Sequence, residues 1–91
     1  MIENIWVFNG ANSTFPSGVF IDKTIAEEWI AEHKLTGVLT LYPINKGVYD
    51  WAIEQGVFSP TKDYQHNPSF IEKFSSASQE HYHYLNGALE D

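Results

Sequence analysis

KLTGVLTLYPINKGVYDWAIEQG, residues 34–56, decides the fold, because it predicts a central strand that leads into a packed helix. Residues 38–42 form a short β-branched and apolar run, which Gly37 opens and Pro43 closes. Such a run favours a mostly buried strand over a helix of the same length. Pro43 lacks the N–H that a sheet ladder needs, so strand pairing is expected to stop there.

The second half of this stretch predicts a helix. A turn signal, NKG at 45–47, separates the helix from the strand. From Val48 to Gln55, apolar residues recur at helical spacing, with Trp51 on the apolar face. Gly56 supplies a C-terminal stop.

A strand hairpin and a helix are predicted before this stretch. Residues 5–9 carry apolar side chains on both faces, and residues 18–21 return as a second strand after a loop rich in Gly, Asn, Ser and Pro. Asp22 is expected to cap a helix over residues 23–33. We expect this helix to lie across one face of the sheet through Trp29.

An irregular link, a short helix and a last strand are predicted after it. The periodicity disappears from residue 57 onward, and Asn67-Pro68 is typical of a helix start, here for a helix of about two turns. Alternation over residues 79–85 predicts a fourth strand with tyrosines on one face and histidines on the other. Because four residues follow Asn86-Gly87, this pair is expected to end the strand before a frayed tail.

The order of elements, ββαβααβ, predicts an α+β fold with a four-stranded antiparallel or mixed sheet and helices packed mainly on one face. The 91 residues suffice for a single domain, residues 1–91, and not for two cores. Three Trp, five Tyr and six Phe must supply much of the interior. We expect Trp29, Leu39 and Trp51 to share that interior.

The charge balance excludes one class of partner and favours another. Twelve Asp and Glu oppose five Lys, no Arg is present, and the formal net charge is −7. Nucleic acid is excluded, because phosphate neutralisation and base recognition depend on Arg and Lys. The same charge steers a basic protein toward this surface, although acidity also serves simply to keep a small aromatic-rich domain soluble.

Composition also bears on compartment and cofactor. Zero cysteines remove disulfides, thiolate catalysis and zinc sites built on sulfur. The sequence shows neither a basic leader with an apolar run nor about 18 consecutive apolar residues. We therefore expect a cytoplasmic protein with no membrane contact and no cofactor.

The sharpest chemical pattern is a histidine pair in the last predicted strand. His81 and His83 are two residues apart, so their imidazoles project from the same side and can approach one metal ion. A third ligand is required, and His66 or Asp63 in the irregular link is the candidate. The alternative is that both imidazoles sit half exposed on the sheet and hydrogen-bond to neighbouring groups.

Signs of an enzyme are weaker. Asp50 and Glu54 share one side of a helix, but catalysis would need one of them buried, and such pairs are usually the solvated face. The serines lack a GxSxG turn, and no GxxxxGK phosphate loop is present. No catalytic or cofactor-binding residue is therefore assigned, and the sequence favours a non-enzymatic protein.

Tyrosines are the remaining group of candidate site residues. Tyr and Trp are enriched in binding hot spots because they combine a large apolar ring with a polar tip, although core packing is the usual role in so small a domain. The predicted partner-binding residues are Tyr49, Tyr64, Tyr82 and Tyr84.

The chain resembles a family of small bacterial proteins that share strings such as WVFNG, KLTGVLTLYP, GVYDWAI and SASQEHYHY, from Trp6 to Gly87. No activity, cofactor or catalytic residue is established for that family, so the resemblance implies a compact stand-alone domain and carries no residue role.

Three hypotheses of function follow. The first is a non-enzymatic interaction module, in its most concrete form an immunity-type protein whose acidic surface masks a basic toxin. The second is a small metal-binding or metal-dependent hydrolytic protein centred on His81, His83 and His66. The third is self-association through an unpaired edge strand.

Overall fold

The computed structural model describes residues 2–90, and its strands combine with three helices in an α+β arrangement. In chain order the elements are β1 (Asn4–Gly10), β2 (Pro16–Phe20), α1 (Lys23–Glu32), β3 (Gly37–Pro43), α2 (Val48–Glu54), a 3-10 turn (Asp63–His66), α3 (Pro68–Ile71), β4 (His81–Leu85) and β5 (Ala88–Leu89). Met1 and Asp91, the ends of the predicted domain 1–91, lie outside the described residues.

β3 is the middle strand of the sheet, as its apolar run predicts. The strand order is β2-β1-β3-β4-β5. β3 pairs with β1 over its whole length, from Gly37 opposite Gly10 to Pro43 opposite Asn4, and it pairs on its other side with β4. Every pairing is antiparallel, so the antiparallel form of the prediction is confirmed.

The sheet has five strands, and the prediction of four is wrong. Asn86 and Gly87 form the turn between β4 and β5, with φ of 50° and 89°. Two consecutive positive φ values are typical of the type I′ hairpin turn, which the Asn-Gly pair favours. The following residues, Ala88 and Leu89, are enough to pair with β4 and form the edge strand.

α1 packs across one face of the sheet and closes the core. Asp22 caps the helix as predicted, because its side chain accepts a hydrogen bond from the Thr24 N–H at 2.8 Å. Ala26 and Ile30 lie on one side of α1 and are 0% exposed. The sheet supplies the other buried members of this core, Trp6, Phe8, Leu39 and Tyr84.

A second aromatic cluster forms around α2, which contacts β3. Its members, which are all within ring-packing distance of a neighbour, are Tyr49, Phe58, Tyr64, Phe70 and Phe74. The third helix is a single turn of four residues, not the predicted two turns, and Asn67 makes no side-chain cap hydrogen bond.

Trp51 lies outside the core that Trp29 and Leu39 share. Its half-buried indole lines a groove at one end of the β1–β3 pair, where the first residue of β1, Asn4, lies opposite the last residue of β3, Pro43. The expectation that all three side chains share one interior is therefore wrong for Trp51.

Among residues 2–90, no helix has both the length and the apolar character needed to cross a bilayer.

Candidate functional site

The predicted histidine pair lies on the face of the sheet opposite the one that α1 covers. The strand register and the alternation of buried and exposed residues identify the side chains that point outward on this face, which we call the open sheet face. They are Ile5, Val7, Asn9, Val19, Val38, Thr40, Tyr42, His81, His83 and Leu85. A shallow depression in its middle is lined by strand residues alone, Val7, Asn9, Pro16, Val38, Thr40 and Tyr42. The face is thus a partly exposed surface, rich in apolar residues, of the kind that often marks a contact site.

The open sheet face differs from the rest of the surface in charge. None of its outward-pointing strand residues is Asp, Glu or Lys, in a chain whose formal net charge is −7. Acidic residues lie just beyond its strands, with Glu3 before β1 and Glu90 after β5. The Glu90 N–H donates to the His83 carbonyl oxygen at 2.8 Å, so this carboxylate-bearing residue is the direct neighbour of His83.

His81 and His83 come together as the strand alternation predicts. Their ring centroids are 5.4 Å apart, with the ring planes at 85°. Nδ1 of His81 lies 2.6 Å from the Gln79 carbonyl oxygen. Because a carbonyl oxygen only accepts, Nδ1 must carry the proton in this contact, which leaves the lone pair of a neutral ring on Nε2.

His66 and Asp63 lie in the 3-10 turn that precedes α3, on a different part of the chain from the histidine pair. Among residues 2–90, no group of three or more His, Cys, Asp or Glu side chains converges closely enough to hold a metal ion. The pair at His81 and His83 therefore stands without the predicted third ligand from this turn.

Tyr82, on the opposite face of β4, is half-buried under α1. The Lys23 ammonium lies 3.8 Å from the centre of its ring, in a cation–π contact. Its hydroxyl donates to a Glu80 carboxylate oxygen at 2.5 Å. This hydrogen bond to Glu80 is the main reason that the pKa of Tyr82 is raised above its usual value of 10.0.

Tyr84, two residues along, is buried in the core. Its hydroxyl donates to a carboxylate oxygen of Glu27 on α1 at 2.7 Å, a contact that ties β4 to the helix. Burial, and then the hydrogen bond to Glu27, raise the pKa of Tyr84 well above its ordinary value. The ring has no free surface for a partner in this conformation.

We expect the buried Tyr84 hydroxyl to make the fold sensitive to alkali. Above about pH 10 the Tyr84 hydroxyl loses its proton in the unfolded chain but keeps it in the folded chain. The free energy of unfolding should therefore fall by up to about 1.4 kcal/mol for each pH unit above about pH 10. Tyr84→Phe should lower the free energy of unfolding by about 1–3 kcal/mol at neutral pH. The free energy of unfolding of this variant should also fall less steeply above pH 10 than that of wild type. Urea unfolding at a series of pH values checks both effects.

The matched control is Tyr64→Phe, because it removes one hydroxyl from a ring that is 53% exposed. A Tyr84→Phe variant that keeps both the neutral-pH stability and the full alkaline decline would show that the contact with Glu27 contributes nothing.

The two remaining tyrosines of the predicted contact patch have different environments. Tyr49 is buried on α2, and its hydroxyl donates to the Gln65 carbonyl oxygen at 2.8 Å. Tyr64 is exposed and packs its ring edge-on against Phe70. Of the four predicted tyrosines, only Tyr64 and the half-buried Tyr82 have free surface.

The outward side of α1 is a second surface. Ile25, Glu28 and Glu32 are exposed and fall within about 60° of one another around the helix axis, opposite the buried Ala26 and Ile30. We refer to Ile25, Glu28 and Glu32 as the α1 outer surface. The helical spacing of Glu28 and Glu32 is a sequence signal for the solvated side of α1, whereas the only signal for Ile25 is that it lies off the apolar stripe.

A cleft of about 700 Å³ opens between the end of α1 and the loop before β2. Sequence reasoning does not find it, because three separate segments supply its lining. Trp29 lines it from α1 and His33 from the residue that follows the helix, and the hydroxyl-bearing Ser13 and Ser17 line it from the loop and β2. Among the described residues no hydrogen bond joins His33 to either serine, and His33 contacts Glu32 instead, at 3.3 Å. The geometry therefore shows no paired nucleophile and base.

The model of one protein family, described as a domain of unknown function (DUF7710), matches residues 5–90 of the chain. Comparison with curated proteins and with solved structures gives no match.

Proposed function

Since the chain belongs to the family of the domain of unknown function DUF7710, which brings no activity with it, we propose from its surface that it is a non-enzymatic interaction module for a basic protein partner. The observation that carries this proposal is the α1 outer surface, where, among residues 2–90, two carboxylates without a lysine partner follow an exposed isoleucine on the same side of the helix.

Glu28 and Glu32 place like charges at positions i and i+4 of α1. Such pairs destabilise a helix by a few tenths of a kcal/mol. Within residues 2–90, the carboxylates that lie within 4.0 Å of a basic nitrogen are those of Glu27, Glu32 and Glu54, and the partner of Glu32 is the imidazole of His33. A lysine or arginine from another protein would relieve this repulsion, so binding has a favourable electrostatic contribution that the free chain lacks.

Ile25 supplies the apolar centre that a specific interface needs. Its side chain is 55% exposed, one helical turn from Glu28 on the same side of α1. Protein interfaces typically place an apolar centre inside a polar rim. The α1 outer surface offers both elements side by side, an apolar residue and a carboxylate pair, and a partner with an apolar pocket beside basic residues is complementary to it. An immunity-type protein that masks a basic toxin is the most concrete form of this function.

The test compares two double variants that each remove two negative charges. Glu28→Gln/Glu32→Gln alters the α1 outer surface, and Asp63→Asn/Glu72→Gln makes the same change in charge on other elements. Tagged wild-type protein and both variants are used to recover partners from cells of the source organism, with quantification by mass spectrometry.

We expect one basic protein to be enriched with wild type, lost severalfold with the α1 variant, retained with the control, and weakened by added salt. The α1 variant should stay folded, because it removes a repulsion. Recovery of nothing above background in several growth states, or equal loss with both variants, would contradict the proposal.

A further inference from the structure

We propose that His81 and His83 form one half of a transition-metal site, which a second copy of this chain completes by packing its own histidine pair against the open sheet face. The ion is of the class that imidazole prefers, with Zn²⁺ the natural probe.

The spacing of the two rings fits shared coordination. A tetrahedral ion lies about 2.0–2.1 Å from each imidazole nitrogen, and the ring centroid lies about 1.1 Å further back, so two ligating rings have centroids about 5.2 Å apart. The centroids of His81 and His83 are 5.4 Å apart before any ion is added. The separation of the two rings therefore already matches the one that a shared ion requires.

The hydrogen bond of His81 supports the same role. A metal-binding imidazole usually donates its other ring N–H to a carbonyl or carboxylate, which fixes the ring and directs the lone pair to the metal. His81 has this arrangement, since Nδ1 contacts the Gln79 carbonyl oxygen at 2.6 Å and Nε2 is left as the ligating atom. This contact belongs to the free chain and does not depend on the separation of the rings.

One chain supplies an incomplete site. Structural zinc takes four ligands, and among residues 2–90 no third His, Cys, Asp or Glu joins the pair. A two-fold axis through the ion would bring two imidazoles from each copy and satisfy tetrahedral coordination with four nitrogens. The site is complete only with the second copy.

The charge distribution indicates where two copies can meet. Each carries a formal net charge of −7, so contact between acidic surfaces is repulsive. The open sheet face carries apolar and uncharged outward residues on its strands and presents the histidine pair directly. Stacking two such faces also covers the half-buried Val38 and the methyl group of the half-buried Thr40, which are the cross-strand neighbours of His83 and His81.

Light scattering of chelator-treated protein during a zinc titration tests the proposal. We expect the mass to double from 10.4 kDa per chain, with saturation at one ion for every two chains. His81→Ala and His83→Ala should each weaken zinc binding by about tenfold or more and leave the protein monomeric. His66→Ala, which removes an imidazole from another element, should behave as wild type. The variants should remain folded, because both strand histidines are exposed. Circular dichroism checks this.

Three results would overturn the proposal. They are the absence of zinc binding, saturation at one ion per monomer, and a doubling of mass that survives loss of either histidine, as pairing through an edge strand would give. Glu90→Gln identifies the ligand in the second case, because the backbone of this residue pairs with that of His83. The charge variants of the α1 outer surface should leave zinc-dependent pairing unchanged, so this inference and the proposed function can fail separately.

Discussion

Phe8→Ala is expected to lower the free energy of unfolding by about 3–5 kcal/mol. Phe8 is 2% exposed in the middle of β1, and it packs edge-on against Trp29 at a centroid distance of 5.8 Å. Alanine leaves a cavity that the backbones of β1 and β3 cannot fill, because those strands pair along their whole length. Since a domain of this size is stabilised by about 5–15 kcal/mol in total, much of the chain should be unfolded at moderate urea concentrations.

Phe15→Ala is the matched control, because it removes the same atoms from a side chain that is 76% exposed. Urea unfolding, followed by circular dichroism and tryptophan fluorescence, should place the control within about 0.5 kcal/mol of wild type. Equal losses from both variants would show that Phe8 does not occupy the core described here.

Gly37→Ala is expected to destabilise the chain by about 3 kcal/mol, at the upper end of the range for overpacking. A Cβ atom at this position would collide with the Asn9 carbonyl oxygen and lie 2.8 Å from Cζ of Phe8. The first of these is a backbone atom in the β1–β3 ladder, so relief requires the central pair of strands to separate. The effect should appear as a lower urea midpoint.

Gly47→Ala provides the comparison. The nearest atom that its Cβ would meet is an Asp50 carboxylate oxygen at 3.4 Å, which is an ordinary contact distance. Gly47→Ala should lower the free energy of unfolding by less than about 1 kcal/mol, as expected for alanine at the N-cap of α2. Similar midpoints for the two glycine variants would mean that β1 and β3 are not packed this closely at Gly37.

The central strand could be predicted because its signals are local. A five-residue apolar run between Gly37 and Pro43 gives a strand with limits within one residue of those observed. The N-cap at Asp22 and the alternation of β4 are local for the same reason, and they place the histidines on one face and Tyr82 and Tyr84 on the other.

Other features depend on contacts between distant segments. Alternation assigns Tyr84 to a face of β4, but it does not say that Glu27, 57 residues earlier, accepts its hydrogen bond. Local sequence signals also do not say how far His66 lies from the strand histidines, because that distance depends on the path of the whole irregular link that begins at residue 57. Trp51 has the spacing of a core residue, yet α2 lies over the aromatic cluster through Tyr49, and Trp51 lines a groove instead.

Asn86-Gly87 shows that a local turn signal can outweigh the shortness of the segment that follows it. The pair is typical of a hairpin turn, and it forms one here although few residues follow. A strand needs little length when its partner is already fixed, and β4 is held on its other side by β3.

Both proposed surfaces depend on one structural claim, that α1 covers one face of the sheet and leaves the other open. The chain contains no cysteine, so single cysteines report directly on each face. Thr40 and Leu39 are adjacent in β3 and point to opposite faces, and Leu39 is 0% exposed. Labelling of metal-free protein with a thiol reagent should modify the half-buried Thr40→Cys at least about 100-fold faster than Leu39→Cys, which reacts only through unfolding. Equal rates, or a protected Thr40→Cys, would contradict the account.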